Sequence, residues 1–224
     1  MRYFRTEAII LRRTNYGEAD RILSIITPDR GKISVIAKGA RRPKSKLAGG
    51  LELFAVCDIN TIEGRGDLAV VTGAQIKQFY GAKILQDYDR MQFAYEILKQ
   101  INKASETVTS PEFYQLLKSS LASLEDLRIS HGLVEVWFKL NLGHLLGEGV
   151  NLETDSDGEL LSSDQKYDYD QSTVTFFKNS NGRFTGDHIK FLRLAQQYSP
   201  PTLHRISGVA QILKDVSLIF YGSS

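Results

Sequence analysis

A single cysteine, Cys57, stands in 224 residues, which excludes an intramolecular disulfide framework and fits a reducing compartment. It lies in an apolar, strand-like run and is read as core packing rather than as a reactive thiol. The sequence also lacks any apolar run of about 18 residues and any N-terminal signal pattern, so a soluble, cytoplasmic protein without a membrane partner is expected. Signatures of catalysis are missing as well. The Gly31-Lys32 pair has Ile26 where a phosphate-binding GxxxxGK[ST] loop needs its first glycine, and neither GxSxG nor HExxH occurs. Four histidines (His131, His144, His188, His204) are scattered without ligand spacing, and one cysteine does not make a zinc site. His144 is expected to be a hydrogen-bonded core residue. The reading is therefore a binding protein with no catalytic residues, no metal and no cofactor.

Charge of one sign is scarce overall, at a net +2, but it is unevenly placed. Residues 1–80 hold 14 Lys and Arg against 8 Asp and Glu, leaving 14 against 18 for the other 144 residues. The basic character belongs to the N-terminal third, and such asymmetry points to an anionic partner for that part. It is concentrated in Arg30 to Lys46, RGKISVIAKGARRPKSK, which has seven basic residues and no acid. Ile33, Val35 and Ala37 alternate as in a strand. Gly39 and Pro43 then break the pattern, so Lys38, Arg41, Arg42, Lys44 and Lys46 are expected on an exposed loop. A cationic loop leaving a strand can grip phosphates; a solubilised surface turn has the same composition.

The first eighty residues read as five short strands: Thr6 to Arg13, Arg21 to Thr27, the run before the basic loop, Leu51 to Glu63 and Leu68 to Gln78. Turns are marked by Asn15-Tyr16-Gly17, Pro28-Asp29-Arg30-Gly31 and Gly64-Arg65-Gly66-Asp67. Five strands without a long helix among the first four suit a small barrel of the oligonucleotide-binding (OB) type, and strand count equally allows an SH3-like barrel. From Lys83 the apolar period changes to helical, placing a domain boundary near residue 80. Helices are expected over Ile84 to Asn102 (Met91, Ala94, Tyr95, Leu98 and Ile101 inward), from Ser110-Pro111-Glu112 through Leu124, and over Gly132 to Leu146. The fold class is thus α+β: a five-stranded OB-type barrel, residues 1–80, followed by a helical domain, 81–224, with a small β-containing insertion at about 147–186.

That insertion is acidic, with seven acids in NLETDSDGELLSSDQKYDYD, and it ends in a strand-like Ser172 to Lys178. Counting from Glu153, a calcium-loop pattern places Asp155, Asp157, Gly158 and Asp164 at spacings of interest, but the flanks are not helical and a solvated acidic turn is the preferred reading. Helical periodicity returns after Thr185 as N-cap, with Ile189, Leu192 and Ala195 in line, stops at Pro200-Pro201, and resumes from His204 to Phe220. The strands from Arg21 to Ala37 contain no aromatic residue, so backbone attraction should dominate over base stacking, giving sequence-indifferent, salt-sensitive binding to single and double strands.

Residues 6–54 resemble the bacterial recombination mediator family RecO. The likeness lies in Tyr16-Gly17-Glu18-Ala19-Asp20-Arg21, in Gly31-Lys32 through Ala37-Lys38-Gly39-Ala40-Arg41-Arg42, in Pro43-Lys44-Ser45 and in Gly49-Gly50-Leu51-Glu52. The resemblance implies an OB fold followed by a helical domain, binding and annealing of DNA, association with RecR, recognition of the acidic C-terminal tail of single-strand-binding protein, and help in loading RecA. It carries DNA contact onto Arg12, Arg13, Arg21, Lys38, Arg41, Arg42, Lys44 and Lys46; Arg21, beside Glu18 and Asp20, is equally readable as an ion-paired structural residue. Lys139, Lys190, Arg193, Arg205 and Lys214 are available for a tail, and the sequence does not choose among them. Many members carry four cysteines in the insertion as a zinc site. Here that region has none, and no structural zinc is expected. Outside the resemblance, an RNA-binding barrel and a protein-interaction adaptor are the alternatives.

Overall fold

A computed structural model describes residues 3–62, 68–108 and 110–221. The chain forms two compact units, Met1–Asp126 and Leu127–Ser224.

The first unit is built on five strands: β1 (Tyr3–Tyr16), β2 (Asp20–Thr27), β3 (Gly31–Ala37), β4 (Ala55–Ile62) and β5 (Ala69–Phe79). They close into a barrel in the order β1-β2-β3-β5-β4. The 14 residues of β1 serve two neighbours, pairing antiparallel with β4 through Tyr3 to Ile9 and with β2 from Ile9 to Tyr16. A bulge between Ile10 and Arg12 gives the bend that this double service requires. Closure is completed where β3 runs parallel to β5 at Val35↔Ala69 and Ile36↔Val70. This is the OB-type member of the two barrels that strand count allowed.

Alternation along the strands fills the barrel with Ala8, Ile10, Leu23, Ile25, Val35, Ala37, Cys57, Ile59 and Val71. Cys57 is fully buried, and burial pushes its thiol up to about 11, which keeps it protonated and inert. In the middle of β1 the run Ala8-Ile9-Ile10-Leu11 is apolar without alternation, because the outer face is covered too. Its cover is α2 (Tyr88–Thr107), which follows the single turn α1 (Gly81–Ile84) and packs on β1 and β3. Asp87 caps α2 by accepting the Arg90 N–H at 3.1 Å. Lys32 of β3 reaches α2, donating to the Asn102 carbonyl at 2.8 Å and pairing with Glu106 at 2.9 Å. The next helix, α3 (Glu112–Glu125), docks through Tyr114, whose hydroxyl donates to Glu7 of β1 at 3.0 Å.

The second unit contains α4 (His131–Leu146), a hairpin of β6 (Tyr167–Asp170) and β7 (Thr175–Lys178), then α5 (Gly186–Gln197), α6 (Pro200–Leu203), α7 (Val209–Val216) and α8 (Leu218–Tyr221). Ser130 caps α4 and left-handed Gly147 ends it. Thr185 caps α5 in a capping box with His188, whose Nδ1 accepts the Thr185 N–H at 3.0 Å. Because that lone pair is already engaged, the Thr185, His188 and Asp215 trio is a cap and a tie between α5 and α7 rather than a nucleophilic triad.

Several expectations are corrected. Leu51 to Phe54 do not extend β4; the chain makes a 3-10 turn at Ala48–Gly50 and a left-handed residue at Phe54 before the strand starts at Ala55. Tyr95 and His144, expected inside, are exposed. Pro200-Pro201 starts α6 as well as following α5, since proline fits a first helical turn, and the final helix is broken at left-handed Gly208 and again at Ser217. The sequence missed β6, and β7 starts at Thr175 rather than Ser172. The turn over 64–67 lies outside the described residues.

Candidate nucleic-acid interface

The basic stretch divides in two. Arg30 stacks over the Phe4 ring at 4.3 Å and Lys32 is bound to α2, so the first two cations are structural. Past Ala37 the five remaining ones, Lys38, Arg41, Arg42, Lys44 and Lys46, are all exposed, as the composition predicts. Their loop is not loose. Ala40 at 3% exposure and Leu51 at 1% sink into the barrel core and act as its two feet. Between them the backbone closes successive turns, with Arg42 N–H to Gly39 O at 3.1 Å and Ser45 N–H to Arg42 O at 3.0 Å.

The β1–β2 turn holds this loop from below. Asp20 Oδ1 accepts the Gly39 N–H at 2.7 Å, and Ala19 O accepts the Arg41 N–H at 2.9 Å. The Arg41 guanidinium also reaches Gly17 O at 3.3 Å. Gly39 adopts φ +64°, which turns the chain out of β3. At the far foot, a Cβ on Gly50 would stand 2.2 Å from the Ala74 carbonyl oxygen, so the loop closes on β5 by direct backbone approach. With the backbone pinned on both sides and the cations turned outward, the main chain has little ordering entropy left to lose if the side chains take up an anion.

The three barrel arginines behave differently from one another. Arg12 is exposed and forms no ion pair among the described residues. Arg13 is half-buried, pairing with Glu52 at 3.2 Å and donating to Leu51 O at 3.3 Å, so it braces the loop's exit. Arg21 is not paired with Glu18 or Asp20; Asp20 is spent on Gly39, and the Arg21 Nε is buried without a hydrogen-bond partner. The open cations are therefore the loop five and Arg12. Sequence reasoning missed Asp20 as the loop's anchor, and it gave no role to the side chain of Tyr16, which is 55% exposed and precedes Gly17, whose carbonyl Arg41 reaches.

In the insertion, the carboxylates do not converge on a cation. Asp155 accepts the N–H groups of Asp157 and Glu159, both at 3.0 Å, and pairs with Lys178 at 3.3 Å. Burial pushes its carboxyl up, but those donors outweigh it and the net direction is down. Among the described residues no group of three His, Cys, Asp or Glu side chains is placed to hold a metal. The module is held instead by Phe176, whose ring meets Tyr167 at 6.3 Å and Phe184 at 5.5 Å. Of the cations in the second unit, Lys139 is paired with Glu135 and Arg193 donates to Leu152 O, while Lys190, Arg205 and Lys214 are exposed.

Fold and site together define an α+β protein whose N-terminal OB-type barrel carries a braced cationic loop. The family profile described as "Recombination protein O N terminal" matches residues 1–80. A DNA repair protein RecO of Dehalococcoides mccartyi is 32% identical over 230 aligned positions, covering 96% of this chain and 87% of that one. Another, of Bifidobacterium longum, is 40% identical over 126 positions, 55% of this chain and 52% of its own length. One of Rubrobacter xylanophilus is 33% identical over 153 positions, 68% and 61% of the two chains. The chain belongs to the RecO family of DNA repair proteins. Among the described residues no helix is long and apolar enough to cross a membrane.

Proposed function

We propose that this protein is a non-enzymatic, cytoplasmic recombination mediator that binds single- and double-stranded DNA through its phosphates. Residues 1–80 are the OB-type DNA-binding domain and 81–224 the helical domain, with 147–186 inserted; its helix α2 packs on the barrel within the first compact unit. The observation that carries the reading is the loop of Lys38, Arg41, Arg42, Lys44 and Lys46, exposed throughout yet fixed by Asp20, Ala40 and Leu51. Neutralising phosphates on two strands lowers the electrostatic cost of bringing them together, which is the physical content of strand annealing. Membership of the family supports the rest of the role: action with RecR, recognition of the tail of single-strand-binding protein, and loading of RecA on DNA coated with that protein.

The test is the anisotropy of a labelled, unstructured single strand across a salt series, for the wild type and for the variant Arg41→Ala, Arg42→Ala, Lys44→Ala, Lys46→Ala. Four neutralised phosphates give a slope of log affinity against log salt near about −3, and the variant should lose most of it. Equal binding by both proteins would move the site elsewhere. A preference for RNA over DNA at equal salt would replace the reading with an RNA-binding one, and binding of neither with a protein adaptor.

A further inference from the structure

An open cleft of about 510 Å³ runs between the outer face of β1 and α2, within the same compact unit as the basic loop. Its floor is apolar, formed by Leu11, Leu53 and Leu98. Tyr95, Leu98, Lys99 and Asn102 enter it from α2 at helical spacing, so one face of that helix lines it. Cations stand at its mouth: Arg12 is exposed, and Lys99, 80% exposed, has only a loose pairing with Glu96 at 3.6 Å. No carboxylate lines it; nearby Glu52 and Glu106 are taken up by Arg13 and Lys32.

Two features of this cleft go beyond general surface character. Tyr95 is 44% exposed although it lies on a helix packed against the barrel, and its ring stands edge-on to that of Phe54 at 4.9 Å. Phe54 is itself 1% exposed and held at φ +58°, a left-handed conformation that a bulky residue adopts only when packing and hydrogen bonding impose it. The fold thus sustains local backbone strain to seat the ring that supports Tyr95. Second, Asn102 lines the cleft and keeps its side-chain oxygen buried without a hydrogen-bond partner. An unsatisfied acceptor is a standing cost, and a turn of the amide that brings this oxygen to the cleft would let a donor from a ligand remove it.

We propose that this cleft is a base-binding subsite, in which one unstacked nucleobase of a bound single strand lies on Tyr95 while Arg12 and Lys99 hold its flanking phosphates. The inference rests on the DNA-binding reading and deepens it. The chemistry fits a base of any identity: each has a π-face for the tyrosine, and each has an N–H on its pairing edge that the Asn102 oxygen could accept once the amide turns toward the cleft. Continuity with the loop supports the same occupant, because the chain leaving Lys46 passes through Leu51, where Arg13 braces it, and reaches the cleft at Leu53. The loop alone would hold single and double strands alike. A base subsite adds a preference for single strands, since a paired base has neither a free face nor a free edge.

The experiment compares the full-length protein's affinity for a labelled oligothymidine and for an abasic strand with the same number of phosphates. The wild type should favour oligothymidine by about 10-fold, and Tyr95→Ala should bring the ratio close to one while Tyr95→Phe keeps it. Thermal melting of each variant shows whether packing on Phe54 survives. The four-site loop variant should weaken both strands by a similar factor and leave the ratio in place. Equal wild-type affinity for the two strands would overturn the subsite and leave the phosphate-binding loop standing. So would a Tyr95→Ala effect shared equally by both strands, which would mark Tyr95 as structural. If an acidic, aromatic peptide bound in a Tyr95-dependent way while the two strands were held alike, the cleft would be a peptide site instead. Binding of neither strand at low salt would remove the DNA-binding reading and this subsite with it.

Discussion

Asp20 joins the two parts of the first unit that matter most for its proposed role, because its Oδ1 is the acceptor for the N–H of Gly39 at the base of the basic loop. Asp20→Ala leaves that N–H without its partner; we expect a loss of about 1–2 kcal/mol and a severalfold drop in DNA affinity, while Asp20→Asn, which keeps an acceptor, retains most of both. Chemical denaturation and strand titration measure the two effects separately. Glu7 plays the corresponding part for α3. It meets Lys77, Lys118 at 3.8 Å and the Tyr114 hydroxyl, and the hydrogen bond from Lys77 is the main reason its carboxyl lies below the ordinary value, against an opposing push from burial. Burial and the same carboxylate raise the Tyr114 phenol. A carboxyl whose folded value is lowered adds stability above its unfolded value, here near 4.5, and that stability fades as pH falls through the folded value. Glu7→Gln should therefore cost about 1 kcal/mol near neutrality and flatten the acid limb of a plot of melting temperature against pH.

The element that organises the site is the loop between β3 and β4, and its two ends are controlled by different physics. At Gly50 a side chain would strike the backbone of β5, 2.2 Å from the Ala74 oxygen, so Gly50→Ala should destabilise by about 2 kcal/mol. At Gly49 nothing lies within 4 Å of an added Cβ, and Gly49→Ala should be neutral in the same denaturation measurement. If the adjacent substitutions behaved alike, the close approach to β5 would not be what fixes the loop's exit. In the insertion, Asp155 is committed to two backbone N–H groups and Lys178. Its melting behaviour should accordingly be insensitive to a chelator and sensitive to Lys178→Ala, which leaves the buried carboxylate with its backbone donors alone.

For the whole molecule, a net charge of +2 conceals opposite balances. Residues 1–126 carry 19 Lys and Arg against 15 acids, and residues 127–224 carry 9 against 11. A polyanion should then engage the first unit, and ligand linkage makes that visible without locating the DNA. Single-stranded DNA at about 100 times its dissociation constant should stabilise the unit that holds the loop by about 2.7 kcal/mol, and should have no such effect on the four-site loop variant. Calorimetry reads both, and equal stabilisation of the variant would place the binding surface outside the loop.

Much of this was legible in the sequence. Alternation in Arg21 to Thr27 and in Ile33 to Ala37, the glycine and proline breaks at Gly39 and Pro43, and the change of period after Tyr80 determined the five strands, the exposed cationic loop and the helices that follow. These signals are local: a side-chain period, a positive φ and a missing N–H are properties of a few consecutive residues. Closure of the barrel through β3 and β5, the capture of Arg30 and Lys32 by Phe4 and α2, and the use of Asp20 on Gly39 rather than on Arg21 were decided by tertiary structure alone. So was the exposure of Tyr95, which a helical stripe places inside and which the open cleft beside β1 leaves at the surface. The reason is common to all of them. Which partner a side chain meets depends on elements distant in sequence, and a periodicity specifies that a face is buried without specifying what covers it.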